Sequence, residues 1–197
     1  MQAVREIVAS GVPLDRSDVD TDQIIPSEWL KRVERTGFGA GLFSEWRERS
    51  DFVLNQDRYA DARILVAGPN FGTGSSREHA VWALQDYGFR AVISSRFADI
   101  FRNNALKGGL VPVTLPEPIV RTIMAAIEDD AAIEIVIDVV DRRVAVPAIG
   151  LDEPFVLDEY TQHRLLEGLD DIGLTEKLVD VIGDFEATRP SYFPSTR

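Results

Sequence analysis

Apolar and polar positions in this chain fall into short blocks, each with its own period. Residues 4–8 form a brief apolar run that predicts a first strand. An acidic, turn-rich segment follows over 15–26. Residues 28–33 begin like a short helix, which Gly37, Gly39 and Gly41 break. The runs 63–67, 91–94 and 110–113 are short and almost continuously apolar, as in strands covered on both faces. Between them lie two stretches at helical spacing. In 76–87, Ala80, Ala83, Leu84 and Tyr87 share a face, and Gly88 stands at the stop position. The second, 99–107, is stopped by Gly108 and Gly109. Strand, helix, strand, helix, strand is the order of a largely parallel α/β unit.

Pro112, Pro116 and Pro118 punctuate the chain beyond the third of these runs. A helix is expected over 119–128, a partly alternating strand over 133–139, and a partner strand over 142–146 with Asp141 in the turn. Asp158 is placed to cap a helix running to 169, and a second helix is expected over 174–182. No internal repeat or long flexible linker interrupts this order. The expected organisation is one compact domain over 1–197, with a helical C-terminal extension at about 158–185 and a loose polar tail over 186–197.

Composition narrows the chemistry. The 197 residues are 45% hydrophobic and 27% charged, enough to build a core and too apolar for wholesale disorder. A net charge of -12 argues against nucleic acid, since phosphate contacts need a basic surface. The chain has no cysteine, which excludes disulfides, a thiol nucleophile and a cysteine-held metal cluster within it. Two histidines, His79 and His163, offer no compact zinc spacing, so no metal site is expected. The first ten residues lack the apolar run of a signal peptide, and no stretch approaches the roughly 20 apolar residues of a membrane span. The chain reads as a soluble cytoplasmic protein without a membrane partner.

The stretch richest in chemistry is Gly72-Thr73-Gly74-Ser75-Ser76-Arg77-Glu78-His79-Ala80, between a predicted strand and the clearest helix. Glycines let backbone approach a ligand, a helix start presents free N–H groups, and an arginine fork grips a carboxylate. Together these suit an anionic ligand at Gly74, Ser75, Ser76 and Arg77. The same letters also allow a bland reading, because Ser75-x-x-Glu78 matches a capping box that needs no ligand. No Lys-Ser/Thr pair follows the glycines, and Arg77 stands where a third glycine would be. Nucleotide binding is therefore disfavoured.

This nine-residue run resembles the G-x-G-S-S-R-E-H-A motif in the swivelling domain of the aconitase and isopropylmalate isomerase family. Val19-Asp20-Thr21-Asp22-Gln23-Ile24-Ile25-Pro26 is similar to that family's aspartate-bearing segment. Residues 30–38 resemble the loop after it in bacterial small subunits, and 165–175 resemble the leucine-pathway branch. The likeness runs nearly end to end, weakening over about 116–155 and in the tail.

The resemblance implies a three-layer β/β/α swivelling domain. It implies the small subunit of a heteromeric hydro-lyase that moves a hydroxyl along a small dicarboxylic acid, taking 2-isopropylmalate to 3-isopropylmalate by dehydration and rehydration in leucine biosynthesis. A citraconate/methylmalate or homoaconitate substrate is the near alternative. It further implies a [4Fe-4S] cluster on a separate large subunit and no cofactor in this chain. By the same resemblance Ser75 is the proton-abstracting base and Asp22 completes the catalytic site. Arg77 binds a substrate carboxylate, helped by Ser76 and Gly74. Without the resemblance, Asp22 reads as a turn or cap aspartate. In the 30–38 loop, Lys31, Arg32 and Arg35 make a basic patch that is either a solvated face or a contact to substrate through Arg32 or Arg35, with Leu30 or Val33 meeting the alkyl group. His79 stands one helical turn after Ser75 and is read as structural. Two other classes compete: a stand-alone anion-binding module, and a scaffold that merely stabilises a cluster-bearing partner.

Overall fold

The computed structural model describes residues 1–31, 36–190 and 192. Its elements follow the order β1 (Glu6–Leu14), α1 (Thr21–Ile24), α2 (Ser44–Arg47), β2 (Ile64–Ala67), α3 (Glu78–Tyr87), β3 (Ala91–Ser94), α4 (Asp99–Gly108), β4 (Val111–Thr114), α5 (Glu117–Asp129), β5 (Glu134–Asp138), β6 (Arg143–Val146), β7 (Leu151–Pro154), α6 (Glu159–Glu167), α7 (Asp171–Glu176) and α8 (Val179–Thr188), with short 3-10 turns in the loops.

The strands make one sheet in the order β4-β3-β2-β1-β5-β6-β7. The strands β1 to β4 run parallel, while β5, β6 and β7 join antiparallel. The two leaves meet at β1. Its residues 6–10 pair with β5, and its residues 11–14 pair with β2. This double role explains why β1 runs past the apolar stretch at 4–8 and tolerates a proline. Pro13 lies where β5 no longer covers the strand, so its missing N–H breaks no ladder. At the junction, a Cβ on Gly11 would come within 2.8 Å of Ile127 Cδ1 and 2.9 Å of Ile135 Cδ1. A glycine there lets α5 and the antiparallel leaf close on β1.

Both β2 and β3 are buried at every position, as their continuous apolar runs predict. Ile64, Leu65, Val66, Val92 and Ile93 have no exposed surface, and each such side chain contributes roughly 1.5–3 kcal/mol by leaving water. The helix α5 packs over β1, β2 and β3, and α3 packs against α4. The antiparallel leaf alternates instead, with Ile135, Ile137, Val144 and Val146 inward and their neighbours partly exposed. Two sheet leaves with a helical layer give the β/β/α architecture expected.

Four expectations shift. The strand β7 was not foreseen, because Leu151-Asp152-Glu153-Pro154 has poor strand chemistry and survives only at the sheet edge. The helix α3 starts at Glu78 rather than Ser76. The single helix expected over 174–182 is two, α7 and α8; α7 begins early because Asp170 caps it, accepting from Gly173 N at 2.8 Å. The helix α8 continues to Thr188, past the expected end of the helical extension at about 185; residues 191 and 193–197 of the expected tail lie outside the described residues. Among the described residues no helix is long and apolar enough to cross a membrane.

Candidate active site

Two turns that follow parallel strands carry the site. After β1 the chain reaches Asp20, whose carboxylate accepts from Gln23 N at 2.8 Å, while the Gln23 side chain accepts from Asp20 N at 3.0 Å. This reciprocal pair is a capping box, and it holds the four-residue helix α1. Within α1, Thr21 and Ile24 turn inward and Asp22 is left exposed.

After β2 the second turn is glycine-rich because the backbone demands it. Gly72 and Gly74 take φ of 79° and 86°, in the left-handed region that side chains avoid. The two turns are stitched together. Gly72 N donates to Val19 O at 2.7 Å, and Thr21 N donates to Thr73 O at 2.9 Å. The Thr21 hydroxyl donates to the carbonyl of Ser75 at 3.0 Å, across 54 residues of sequence. Asp20 and Thr73 form a short parallel bridge.

The stitching brings Asp22, Gly74, Ser75, Ser76 and Arg77 together. Arg77 Nη1 donates to Asp22 Oδ1 in an ion pair; the arginine side chain is 20% exposed and the carboxylate 53%. Ser75 and Ser76 face solvent beside this pair. They are not in the helix. Arg77 is the N-cap of α3, in extended conformation and with no side-chain cap. The capping box anticipated at Ser75 and Glu78 is thus not formed, and the one that exists, at Asp20 and Gln23, has the same legible pattern. The N-terminal end of α3 follows directly and adds partial positive charge near Arg77. A nucleophile, a cation and a carboxylate at the end of a parallel leaf can move a proton at an anionic substrate.

His79 does not join them. Its ring lies 5.4 Å from Phe38 and 4.7 Å from Trp82. Burial, countered in part by Glu78, holds its pKa below the ordinary value near 6.5. Its ring packs against Phe38 and Trp82, and its lowered pKa favours the neutral form.

Of the 30–38 loop, Arg32, Val33, Glu34 and Arg35 lie outside the described residues. Its described flanks are anchored close to the site. The Trp29 ring covers Gly41, where a Cβ would sit 2.5 Å from Trp29 Cδ2. Phe38 packs on the face of α3 that carries His79 and Trp82, and Gly39 N donates to the Asp86 carboxylate at 2.9 Å. Leu30 is half-buried and Lys31 exposed. Beside α1 opens a cleft of about 420 Å³ whose walls include Asp20, Asp22, Glu28, Glu45 and Glu48. Its carboxylates make that cleft unfavourable for an anionic ligand. Among the described residues no group of three or more His, Cys, Asp or Glu could hold a metal ion. Thr21 is the residue that sequence reasoning missed: it lies inside the aspartate-bearing segment but has no chemistry of its own to draw attention.

A family model described as the aconitase C-terminal domain matches residues 1–118. Proteins called 3-isopropylmalate dehydratase small subunit resemble the chain along its whole length. The one from Frankia alni is 64% identical over 195 residues, covering 99% of each chain. That from Thermobifida fusca is 59% identical over 186 residues, covering 94% of each. That from Rubrobacter xylanophilus is 52% identical over 194 residues, covering 98% of each. A crystal structure of 3-isopropylmalate dehydratase from Methanocaldococcus jannaschii shares the fold with a TM-score of 0.69 at 24% identity, covering 91% of this chain and 98% of that one.

Proposed function

Because this chain belongs to the family of 3-isopropylmalate dehydratase small subunits, within the aconitase C-terminal domain family, we propose that Ser75, Asp22 and Arg77 do its part of the isomerisation of 2-isopropylmalate to 3-isopropylmalate. The chain is a hydro-lyase subunit of leucine biosynthesis. The reading of its residues is carried by one observation: the Asp22–Arg77 ion pair stands beside the exposed Ser75, on turns held together from distant parts of the chain.

In this reading Ser75 Oγ takes the proton from the carbon beside a substrate carboxylate and later returns it. A serine hydroxyl is a weak base, so its anionic form needs stabilisation from the Arg77 cation, the backbone N–H groups that follow Gly74 and the α3 N-terminus. Arg77 grips the carboxylate with the part of its fork that Asp22 leaves free. Asp22 orients that fork and keeps its charge local. Ser76 and Gly74 line the approach, Ser76 with its hydroxyl and Gly74 with bare backbone. Arg32 or Arg35 meets the second carboxylate.

Hydroxide is a poor leaving group, and a Lewis acid supplied by an iron–sulfur cluster would assist its departure. Such a cluster needs cysteine thiolates, and this chain has none, so the donors fit only on a large partner subunit. The chain is therefore read as one domain of a two-subunit enzyme, working in the cytoplasm and inactive without its partner.

Anaerobic reconstitution with a cluster-loaded large subunit tests this. Turnover of 2-isopropylmalate is expected only with both chains, and Ser75→Ala is expected to lower kcat by at least about 10²-fold, the range of a positioned proton-transfer group. Wild-type turnover in Ser75→Ala would remove the serine from its role. A complex that forms but leaves 2-isopropylmalate untouched would point to another dicarboxylic acid.

A further inference from the structure

We propose that Thr21 is a positioning residue for Ser75, acting through the backbone carbonyl of the serine. The proposal rests on the reading of Ser75 as the base. Among the described residues only two polar side chains are buried, Thr21 at 1% exposure and Ser94 at 0%. Both spend their hydroxyls on backbone carbonyls of the glycine-rich turn or its neighbour. Ser94 Oγ donates to Gly68 O at 2.7 Å and lies 3.0 Å from Arg96 O, whose carbonyl in turn receives Phe71 N. Thr21 Oγ1 donates to Ser75 O at 3.0 Å. The turn is pinned by a buried hydroxyl near each end.

Packing alone does not call for this hydroxyl. Valine has nearly the same shape and no polar atom to desolvate, so a buried threonine is favoured only where its hydroxyl has a partner. The partner here is the carbonyl of the reacting residue. Gly74, with φ of 86°, precedes it and would otherwise let the chain drift. Fixing the Ser75 carbonyl fixes the peptide plane after the serine and ties its Cα to the buried α1 turn. What remains to aim Oγ is rotation about the Cα–C bond and about χ1. The Thr21 backbone adds a second tie through its N–H to Thr73 O at 2.9 Å, and that tie survives any side-chain change. Because Asp22 is the next residue, one short segment sets the carboxylate, its Arg77 partner and the base in a common frame.

The test compares Thr21→Val with Thr21→Ser in the reconstituted two-subunit enzyme. Removing the hydroxyl while keeping the shape is expected to lower kcat by on the order of 10- to 100-fold, the effect of about an ångström of misplacement, with KM changed less than about threefold. Thr21→Ser, which keeps the hydroxyl, is expected to retain most of kcat. In the same samples, amide hydrogen exchange should quicken across 72–77 in Thr21→Val, stay near wild type in Thr21→Ser, and leave α3 protected in both. Wild-type kcat in Thr21→Val overturns the proposal. So does a Thr21→Ser enzyme as impaired as Thr21→Val, since the methyl group and not the hydroxyl would then matter. The reading of the base fails separately, through a Ser75→Ala enzyme that turns over normally. A loss of kcat in Thr21→Val with an active Ser75→Ala would transfer the positioning role to Arg77 and overturn the assignment to Ser75.

Discussion

At Gly72 the left-handed backbone and a close neighbour act together. A Cβ there would stand 2.3 Å from Phe101 Cγ, at a φ of 79°. Gly72→Ala is expected to destabilise the protein by about 2–4 kcal/mol, the sum of the backbone strain and the displaced ring. Denaturant unfolding measures it, and the loss should exceed that of an alanine at the exposed Ser76. The same scale shows what sequence could and could not reveal about the site. Ser75 and Arg77 could be proposed because each carries chemistry within a specific run of letters, and Asp22 only through the family resemblance of its segment. The Asp22–Arg77 pairing was not legible, since nothing in two segments so far apart states that they touch. Nor was the choice of capping box. Asp20-x-x-Gln23 and Ser75-x-x-Glu78 have equivalent patterns, and only the left-handed glycine before Ser75 and the extended Arg77 decide against the second. Thr21 was silent because a hydroxyl declares no role until its acceptor is known.

Among the elements, α6 shows its expected N-cap realised, although the helix stops at Glu167 rather than at 169. Asp158 accepts from Thr161 N at 2.9 Å and Gly168 ends the helix in the left-handed region. Asp158→Ala is expected to cost about 1 kcal/mol of stability, read as a lower thermal midpoint, and Asp158→Asn should recover most of it because asparagine caps nearly as well. The buried strands β2, β3 and β4 and the helices between them were similarly legible, since continuous apolar runs and helical spacing with glycine stops have few other meanings. The ends of the sheet were not. The strand β1 hides its length behind Gly11 and Pro13, and β7 is made a strand by its neighbour β6, to which its four residues pair. In both, tertiary pairing overrides local preference.

For the molecule as a whole, stability should fall in two stages with acid. Folded His79 holds a proton less readily than the unfolded chain, because its ring is partly buried. As pH drops below about 6.5 the unfolded state gains that proton first, so stability decreases until the folded pKa is passed. The carboxylates of Asp158 and Asp170 are held below their ordinary 3.8 by the backbone N–H groups of Thr161 and Gly173. Their contribution is present above that value and is lost as pH falls through the folded pKa values. Unfolding midpoints compared at about pH 7.5 and about pH 5.5 isolate the first stage, and His79→Gln should flatten it. The order of the strands also bears on how the chain is made. The parallel leaf can assemble as soon as β4 has left the ribosome, but Glu6 must wait for Asp138. Throughout that interval the first five residues of β1 present bare N–H and C=O groups, a template for any passing strand. The pairing that joins the two leaves is therefore expected to close late, and a chain halted between β4 and β5 should be more prone to misassembly than one released after β5.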